Sequence, residues 1–297
     1  MNILVTGGAG YIGSVLTEKL LEIGHKVTIV DNFRHGFHGI LHLVTHPNLE
    51  IINRNILDPN RDYLIDKDFI FHLASLTSVK DCDENKIEAF KINATILDGL
   101  AYDACKTPIL YTSTTAVYGD RGGELVDENS NVMSTATSVY SSSKLSGEQY
   151  LKKYDNIIIL RLATIYGVSP LMRSHSIVND FVRWAVRYKS IIIYDDKTMR
   201  PYMNILNCVD GLIYVMDNKN KFIGRIYNLI GHNAYKYEIA RAIYKHIKFD
   251  YFKSEYSDPY KQDFRIDSGN FSRLGCKFIY SKYAAIRDLI KLYSFHD

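Results

Sequence analysis

Cysteine is scarce. Cys82, Cys105, Cys208 and Cys276 are the only four in 297 residues, widely spaced and without a Cys-x-x-Cys pair. This argues against a disulfide framework and a cysteine zinc site, and it fits buried free thiols in a reducing compartment. An excess of charge is missing too. Thirty-six Lys and Arg against 33 Asp and Glu leave a formal charge of +3, too little to point to nucleic acid. No apolar run approaches the length that spans a bilayer. No signal-peptide pattern precedes the first apolar strand, so the expectation is a cytoplasmic enzyme without membrane contact. There is no repeat, no low-complexity tract and no Gly/Ser/Pro-rich linker. The length suits one large domain or two tightly coupled lobes sharing a cleft. His72, His175 and His232 lack metal-ligand spacing, so core or solvated histidines and no metal are expected.

What is present begins at Ile3 to Gly13, I-L-V-T-G-G-A-G-Y-I-G. An apolar strand ends at Thr6, glycines follow at once, and a helix then runs on through Val15, Leu16, Leu20 and Leu21. Gly8, Gly10 and Gly13 fit the dinucleotide fingerprint, and Gly7, Gly10 and Gly13 fit its shifted form. Glycine allows the tight turn, the approach of backbone amides to a pyrophosphate, and close packing of helix on sheet. The helix N-terminus then offers free N–H groups and its positive dipole end. A second strand from Lys26 ends in Asp31, eighteen residues beyond Gly13. A carboxylate there suits ribose hydroxyls and repels a 2′-phosphate, which favours NAD over NADP, although Arg34 lies nearby.

Further strands are expected at 49–52, within Asp68 to Ser75, from Pro108, and at 156–162, alternating with helices at Asp83 to Lys106 and Tyr140 to Tyr154. Short apolar runs without alternation mark strands buried on both faces. The fold class is therefore α/β, a doubly wound parallel sheet that binds ligands at its carboxyl edge. Beyond Tyr166-Gly167 the alternation weakens. Helices are expected at 177–188, 208–216, 236–247 and 281–293, with a strand at 190–194. The division expected is 1–166 as a Rossmann-type NAD-binding domain, with about 190–215 packing back on it. Residues 167–297 would form a smaller mixed α/β C-terminal lobe that binds substrate.

Tyr140 and Lys144 form Tyr-x-x-x-Lys, four residues apart and so on one helix face. A phenol is a poor base at neutral pH, and a nearby ammonium lowers its pKa. Tyr140 could then accept the proton of a sugar hydroxyl while hydride leaves the same carbon. Thr114, at a strand carboxyl end, could bridge the substrate hydroxyl to Tyr140.

Together, T-G-G-A-G-Y-I-G, Val30-Asp31-Asn32, His72-Leu73-Ala74, Thr112 to Gly119, Tyr140-x-x-x-Lys144, Arg161 to Gly167, Val178-Asn179-Asp180 and Arg200-Pro201-Tyr202 resemble the extended short-chain dehydrogenase/reductase family of nucleotide-sugar epimerases and dehydratases. The resemblance covers nearly the full length. It implies an NAD-dependent reaction on a nucleotide-activated sugar, starting with oxidation at C4, and a homodimer through the helices around Asn93 and Tyr140. It implies Thr114, Tyr140 and Lys144 as the catalytic set. Gly7, Gly10, Tyr11, Ile12, Gly13, Asp31, Asn32, Asn55, Ile56, Leu73, Ala74, Ser75, Asn93 and Leu162 would meet the cofactor, with Ala163 beside the nicotinamide. Thr77, Thr164, Asn179, Arg200 and Arg265 would meet the substrate, an arginine fork suiting a diphosphate.

Departures from the family pattern also inform. Asn55 replaces an acid, Thr164 an asparagine, and Gln262 an arginine whose task Arg265 or Lys261 would take. Thr114 is followed by Thr115-Ala116, where dehydratases carry Asp-Glu. Without an acid and base to expel water, 4,6-dehydration is disfavoured. A 4-epimerase or 4-dehydrogenase is expected. A 4-ketoreductase using NAD(P)H and a non-catalytic dinucleotide sensor stay as alternatives.

Overall fold

The computed structural model describes residues 1–132, 138–173 and 176–295; His175 lies outside them. The chain runs β1 (Asn2–Thr6), α1 (Tyr11–Glu22), β2 (Lys26–Asp31), β3 (Leu49–Asn53), β4 (Phe69–His72), α2 (Val79–Glu84), α3 (Lys86–Phe90), α4 (Ile96–Asp103), β5 (Ile109–Thr114), β6 (Leu125–Val126) and α5 (Val139–Leu151). It continues with β7 (Ile157–Leu162), β8 (Thr164–Tyr166), α6 (Ile177–Arg187), β9 (Ser190–Ile193), β10 (Met199–Asn204), α7 (Ile205–Asp217), β11 (Arg225–Leu229), β12 (His232–Tyr235), α8 (Lys236–Tyr244), β13 (Asp250–Lys253), β14 (Arg265–Ile266), α9 (Gly269–Arg273) and α10 (Ala284–Ser294).

Seven strands form one sheet in the order β11-β7-β5-β4-β1-β2-β3, and every pairing in it is parallel. This is the doubly wound Rossmann-type α/β fold. Alternation along each strand divides the core. Ile3, Val5, Ile29, Phe69, Phe71, Leu110, Ile158 and Leu160 pack on one face with Leu16, Leu20 and Leu21 of α1. Leu4, Val30, Ile70, Ile109, Tyr111, Ile157 and Ile159 pack on the other with Leu97 and Leu100 of α4. Both faces are apolar, which is why the strands read as unbroken apolar runs. A separate core lies under α6, α8 and α10, around Val182, Ile193, Tyr202, Ile243 and Leu289. Here β10 pairs in parallel with β8 and antiparallel with β12, and β9 pairs with β13.

Of the placements that differ from sequence expectation, three bear on the framework of the site. Strand β11 closes one edge of the main sheet but gave no local signal, because polar Asn228 interrupts a five-residue strand. Asn228 is tolerated because it accepts a 2.9 Å hydrogen bond from the Tyr118 hydroxyl across the core. The helix expected over Asp83 to Lys106 starts earlier, at Val79, where Ser78 caps the N-terminus by accepting from Asp81 N. It breaks at Asn85, whose φ of −125° and ψ of 55° are not helical, and it passes through a π-helical turn at Lys91–Thr95. Of the 190–215 stretch, α7 packs against α1, whereas β9 and β10 belong to the small sheets. Among the described residues no helix is long and apolar enough to cross a membrane.

Candidate active site

The turn between β1 and α1 is a cradle. Gly7 has φ +72°, and a Cβ on Gly13 would stand 2.1 Å from the Gly7 carbonyl oxygen, so the helix can start here only with glycine. No side chain caps the N-terminus of α1, which leaves its first N–H groups for an anion. A Cβ on Gly10 would meet only the Gly7 carbonyl, at 3.1 Å, so the outer side is open to a pyrophosphate. The Asp31 carboxylate closes the adenosine end, accepting from Ala9 N at 3.1 Å and Phe33 N at 2.9 Å. Asn32 and Asn55 are exposed beside it. Leu73, Ala74 and Ser75 are half-buried after β4, while Leu162 is buried at the end of β7. Ile56 packs with Leu4, Val30 and Ile70 as a core residue. These residues fit a dinucleotide: glycine backbone for phosphates, a carboxylate for ribose hydroxyls, and the end of β4 alongside.

Helix α5 brings the chemistry to this cradle. Its Ser138 cap accepts from Ser141 N, and the Ser141 hydroxyl accepts from Ser138 N, which sets where Tyr140 enters the crevice. The Tyr140 phenol lies near the Thr114 hydroxyl. Burial raises the Tyr140 phenol above its ordinary pKa, and the Arg173 guanidinium and the Thr114 hydroxyl pull it back.

Lys144 lies one turn further on and is 2% exposed. Its ammonium donates to Ser75 Oγ at 3.2 Å and stands 4.2 Å from the centre of the Tyr111 ring. Burial lowers its pKa to about 7, with the Glu148 charge opposing. The sequence places Lys144 as the cation against the phenol. In the fold, Lys144 donates to Ser75 and lies over the Tyr111 ring, and the Arg173 charge also favours the ionised phenol.

Asn93 sits in the π-helical turn, a common device at functional sites. Its side chain accepts from Ser75 Oγ at 2.7 Å and Leu76 N at 2.9 Å, and donates to Ser143 Oγ at 3.0 Å. It therefore ties the Ser75 loop to α5.

On the small-lobe side, Arg200 is half-buried and its Nε has no partner among the described residues. Its guanidinium lies 5.5 Å from the Phe264 ring centre, and burial lowers its pKa. A half-buried guanidinium without a carboxylate in contact among the described residues suits an anionic ligand. Thr164 begins β8, beside Tyr202 of β10. Arg265 is exposed and donates from Nε to the Gly123 carbonyl at 3.1 Å. Buried Gln262 donates to the Ala116 carbonyl at 3.1 Å, and Lys261 faces Asp195 at 3.8 Å.

Asn179 is fully buried and committed within the protein. It accepts from Gly167 N at 3.1 Å and donates to the Tyr11 hydroxyl at 3.2 Å and the Arg173 carbonyl at 2.9 Å. Tyr11 in turn donates to the Gly167 carbonyl at 2.8 Å. The loop from Gly167 to Arg173 is thus pinned to α1, and Arg173 reaches over the crevice to the Thr77 carbonyl at 3.0 Å. A second bridge joins the Tyr260 hydroxyl to Asp83, whose other oxygen accepts from Val139 N at 3.2 Å.

Neither Arg173 nor Tyr260 was legible in the sequence, since each is a single loop residue outside any motif. His72 and His232 lie among aromatic rings, and burial lowers both to about 3.

Residues 3–229 match the model described as the NAD dependent epimerase/dehydratase family. The chain is 31% identical over 231 residues to UDP-glucuronic acid decarboxylase 1 of Danio rerio, covering 73% of this chain and 54% of that protein. It thus spans about half the length of that relative. UDP-N-acetyl-alpha-D-glucosaminuronate decarboxylase of Bacillus cytotoxicus is 32% identical over 230 residues, 73% of this chain and 71% of its own. The crystal structure of UDP-glucuronic acid 4-epimerase from Bacillus cereus, with UDP-glucuronic acid and NAD, superposes with a TM-score of 0.84 at 27% identity, covering 98% of this chain and 99% of that one.

Proposed function

From the premise that the chain belongs to the NAD-dependent epimerase/dehydratase family and is an enzyme of it, we propose that it oxidises C4 of a nucleotide-activated sugar and acts as a 4-epimerase. The observation that carries this reading is the approach of the Thr114 hydroxyl to the buried Tyr140 phenol, one helical turn from Lys144. Tyr140 accepts the C4 hydroxyl proton, with Thr114 holding the same hydroxyl in line. NAD, the cofactor of the family, supplies a hydride acceptor when bound. Lys144 holds the ribose side through the hydroxyl network of Ser75. Arg200 takes the diphosphate, Thr77, Thr164 and Arg265 border the same crevice, and Asn179 acts from beneath by holding the Gly167 to Arg173 loop. Epimerisation ends with hydride returned to the opposite face of C4 and the proton returned by Tyr140.

A second reading is favoured by the two decarboxylases among the relatives. If the sugar is a uronate, its C4 ketone is a β-keto acid. The C5–C6 bond can then break, releasing CO2 and leaving its electron pair on C5 for reprotonation. One experiment separates these outcomes: NAD-loaded protein is incubated in D2O with UDP-glucuronate, UDP-glucose and UDP-N-acetylglucosamine, and products are read by NMR. C4 epimers without deuterium at C4 are expected. Deuterium at C5 of a pentose product would establish decarboxylation instead, and no interconversion of any of these sugars would reject C4 oxidation of them. Because Thr115 and Ala116 provide no acid or base, no dehydrated 4-keto-6-deoxy sugar should appear in the mass spectrum.

The same reading includes a homodimer through α3, α4 and α5. Ile87 is 75% exposed on α3, Phe90 is 37% exposed beside it, and Tyr150 is 42% exposed on α5. Large exposed apolar side chains on packed helices fit an interface. Light scattering should give twice the chain mass, and Ile87→Asp with Phe90→Asp should halve it.

A further inference from the structure

Away from the crevice, the small lobe holds a cavity of about 700 Å³, a size that suits a nucleotide-sized ligand. None of the residues assigned above to catalysis, cofactor or substrate lines it. It also lies behind the sheet that carries Arg200. In the β10–β12 pairing Tyr235 stands opposite Met199, and Ala234 opposite Arg200. Neighbouring residues of a strand point to opposite faces, so Tyr235 and Arg200 face away from each other.

Aromatic rings and cations make up most of the wall. The Tyr235 and Tyr237 rings are already stacked, with centroids 5.3 Å apart and planes 13° apart, and Tyr251 faces the same space. Lys197, Arg241 and Lys253 bring positive charge. Asp196 is the single acid of the lining, and it is taken: Lys253 Nζ lies 2.6 Å from its carboxylate and the Tyr251 hydroxyl donates to it at 3.2 Å. Lys197 and Arg241 form no ion pair or hydrogen bond among the described residues. A flat aromatic platform next to two cations that make no direct ion pair among the described residues is complementary to a ligand with a planar ring at one end and a compact anion at the other.

We propose that this cavity is a second, non-catalytic site for a nucleoside phosphate. The base stacks on the Tyr235–Tyr237 pair and the phosphate meets Arg241 and Lys197. The site has a route to the crevice. Its wall includes the turn at Asp196 and Lys197. The preceding Asp195 accepts from Ser257 Oγ at 2.9 Å and Asp258 N at 2.8 Å. That loop carries Tyr260, which bridges to Asp83 of α2, whose other oxygen accepts from Val139 N at the start of the Tyr140 helix.

The test is calorimetric titration of NAD-loaded protein with UMP, repeated with AMP and with glucose 1-phosphate. Wild type is expected to bind two equivalents of UMP. Arg200→Met should lose one of them. Arg241→Glu and, separately, Tyr237→Ala should weaken the other at least tenfold while leaving turnover at saturating nucleotide sugar unchanged. Titration of Arg200→Met reads the cavity by itself, so it succeeds or fails whatever the fate of the C4-oxidation reading. The proposal is overturned if Arg200→Met, folded by circular dichroism, binds neither nucleotide, or if Arg241→Glu and Tyr237→Ala leave all binding unchanged. Equal binding of glucose 1-phosphate would also overturn it, since the aromatic platform would then contribute nothing.

Discussion

Lys144→Met is expected to do two opposite things: lower turnover by roughly 10²- to 10⁴-fold and raise the melting temperature of the protein stripped of dinucleotide. The activity loss follows from the place of Lys144 in the Tyr140 chemistry. The stability gain follows from the cost of burial. Lys144 is 2% exposed and has no carboxylate in contact among the described residues, and its pKa falls from the ordinary 10.5 to about 7. Between those values the unfolded chain binds the proton that the folded chain has released. Stability therefore rises with pH from about 7 to 10.5. Below about 7 the full cost of the buried charge is present, and methionine removes it.

The gap bounds the gain at roughly 5 kcal/mol, with lost contacts to Ser75 and Tyr111 subtracting from it. Melting curves at pH 6 should separate the variant from wild type most, and curves at pH 10 least. A variant less stable than wild type at pH 6 would show that Lys144 stabilises the fold. Tyr140→Phe should lose turnover on a similar scale while retaining NAD, and full activity in that variant would remove the proposed mechanism.

Arg161→Met should be the most destabilising single change in the site region. Glu148 is 0% exposed, and Arg161 grips it with both arms of the fork, Nε to Oε1 at 2.9 Å and Nη2 to Oε2 at 2.7 Å. Ser113 Oγ donates to the same carboxylate at 2.5 Å, and Arg161 Nη1 donates to the Tyr118 hydroxyl at 2.9 Å. The pair therefore locks α5 to β5 and β7, and with them Tyr140 to Thr114. Removing the arginine leaves a buried carboxylate without its counter-charge, which costs about 3–5 kcal/mol. For a chain of this size that lowers Tm on the order of 10 °C. The double variant Glu148→Met with Arg161→Met should recover much of the loss, because two apolar side chains leave no stranded charge. If the double variant melts no higher than Arg161→Met, the cost lies in packing and not in charge.

Much of the active site was legible because its signals are local. A turn that must admit Gly7 and Gly13, a carboxylate at the end of the second strand, and two side chains one helical turn apart are each decided within a few residues. The parallel sheet was legible for the same reason, since burial on both faces leaves a continuous apolar run. Asn179 shows where this stops. Its type and position suggested a sugar-phosphate contact, yet its amide is spent on Gly167, Tyr11 and Arg173. No local pattern could reveal that, because Tyr11 lies 168 residues away.

The main-sheet strands up to β7, the glycine turn and the placing of Tyr140 and Lys144 on one helix were therefore determined by the sequence itself, through turn chemistry and periodicity that need no distant partner. Tertiary structure alone decided that β11 closes the sheet, that Lys144 meets Ser75 and Tyr111, that Glu148 and Arg161 meet in the core, and that aromatic and basic side chains line a pocket behind Arg200. Each of these depends on which distant segments are brought together, and on the desolvation that follows when they meet.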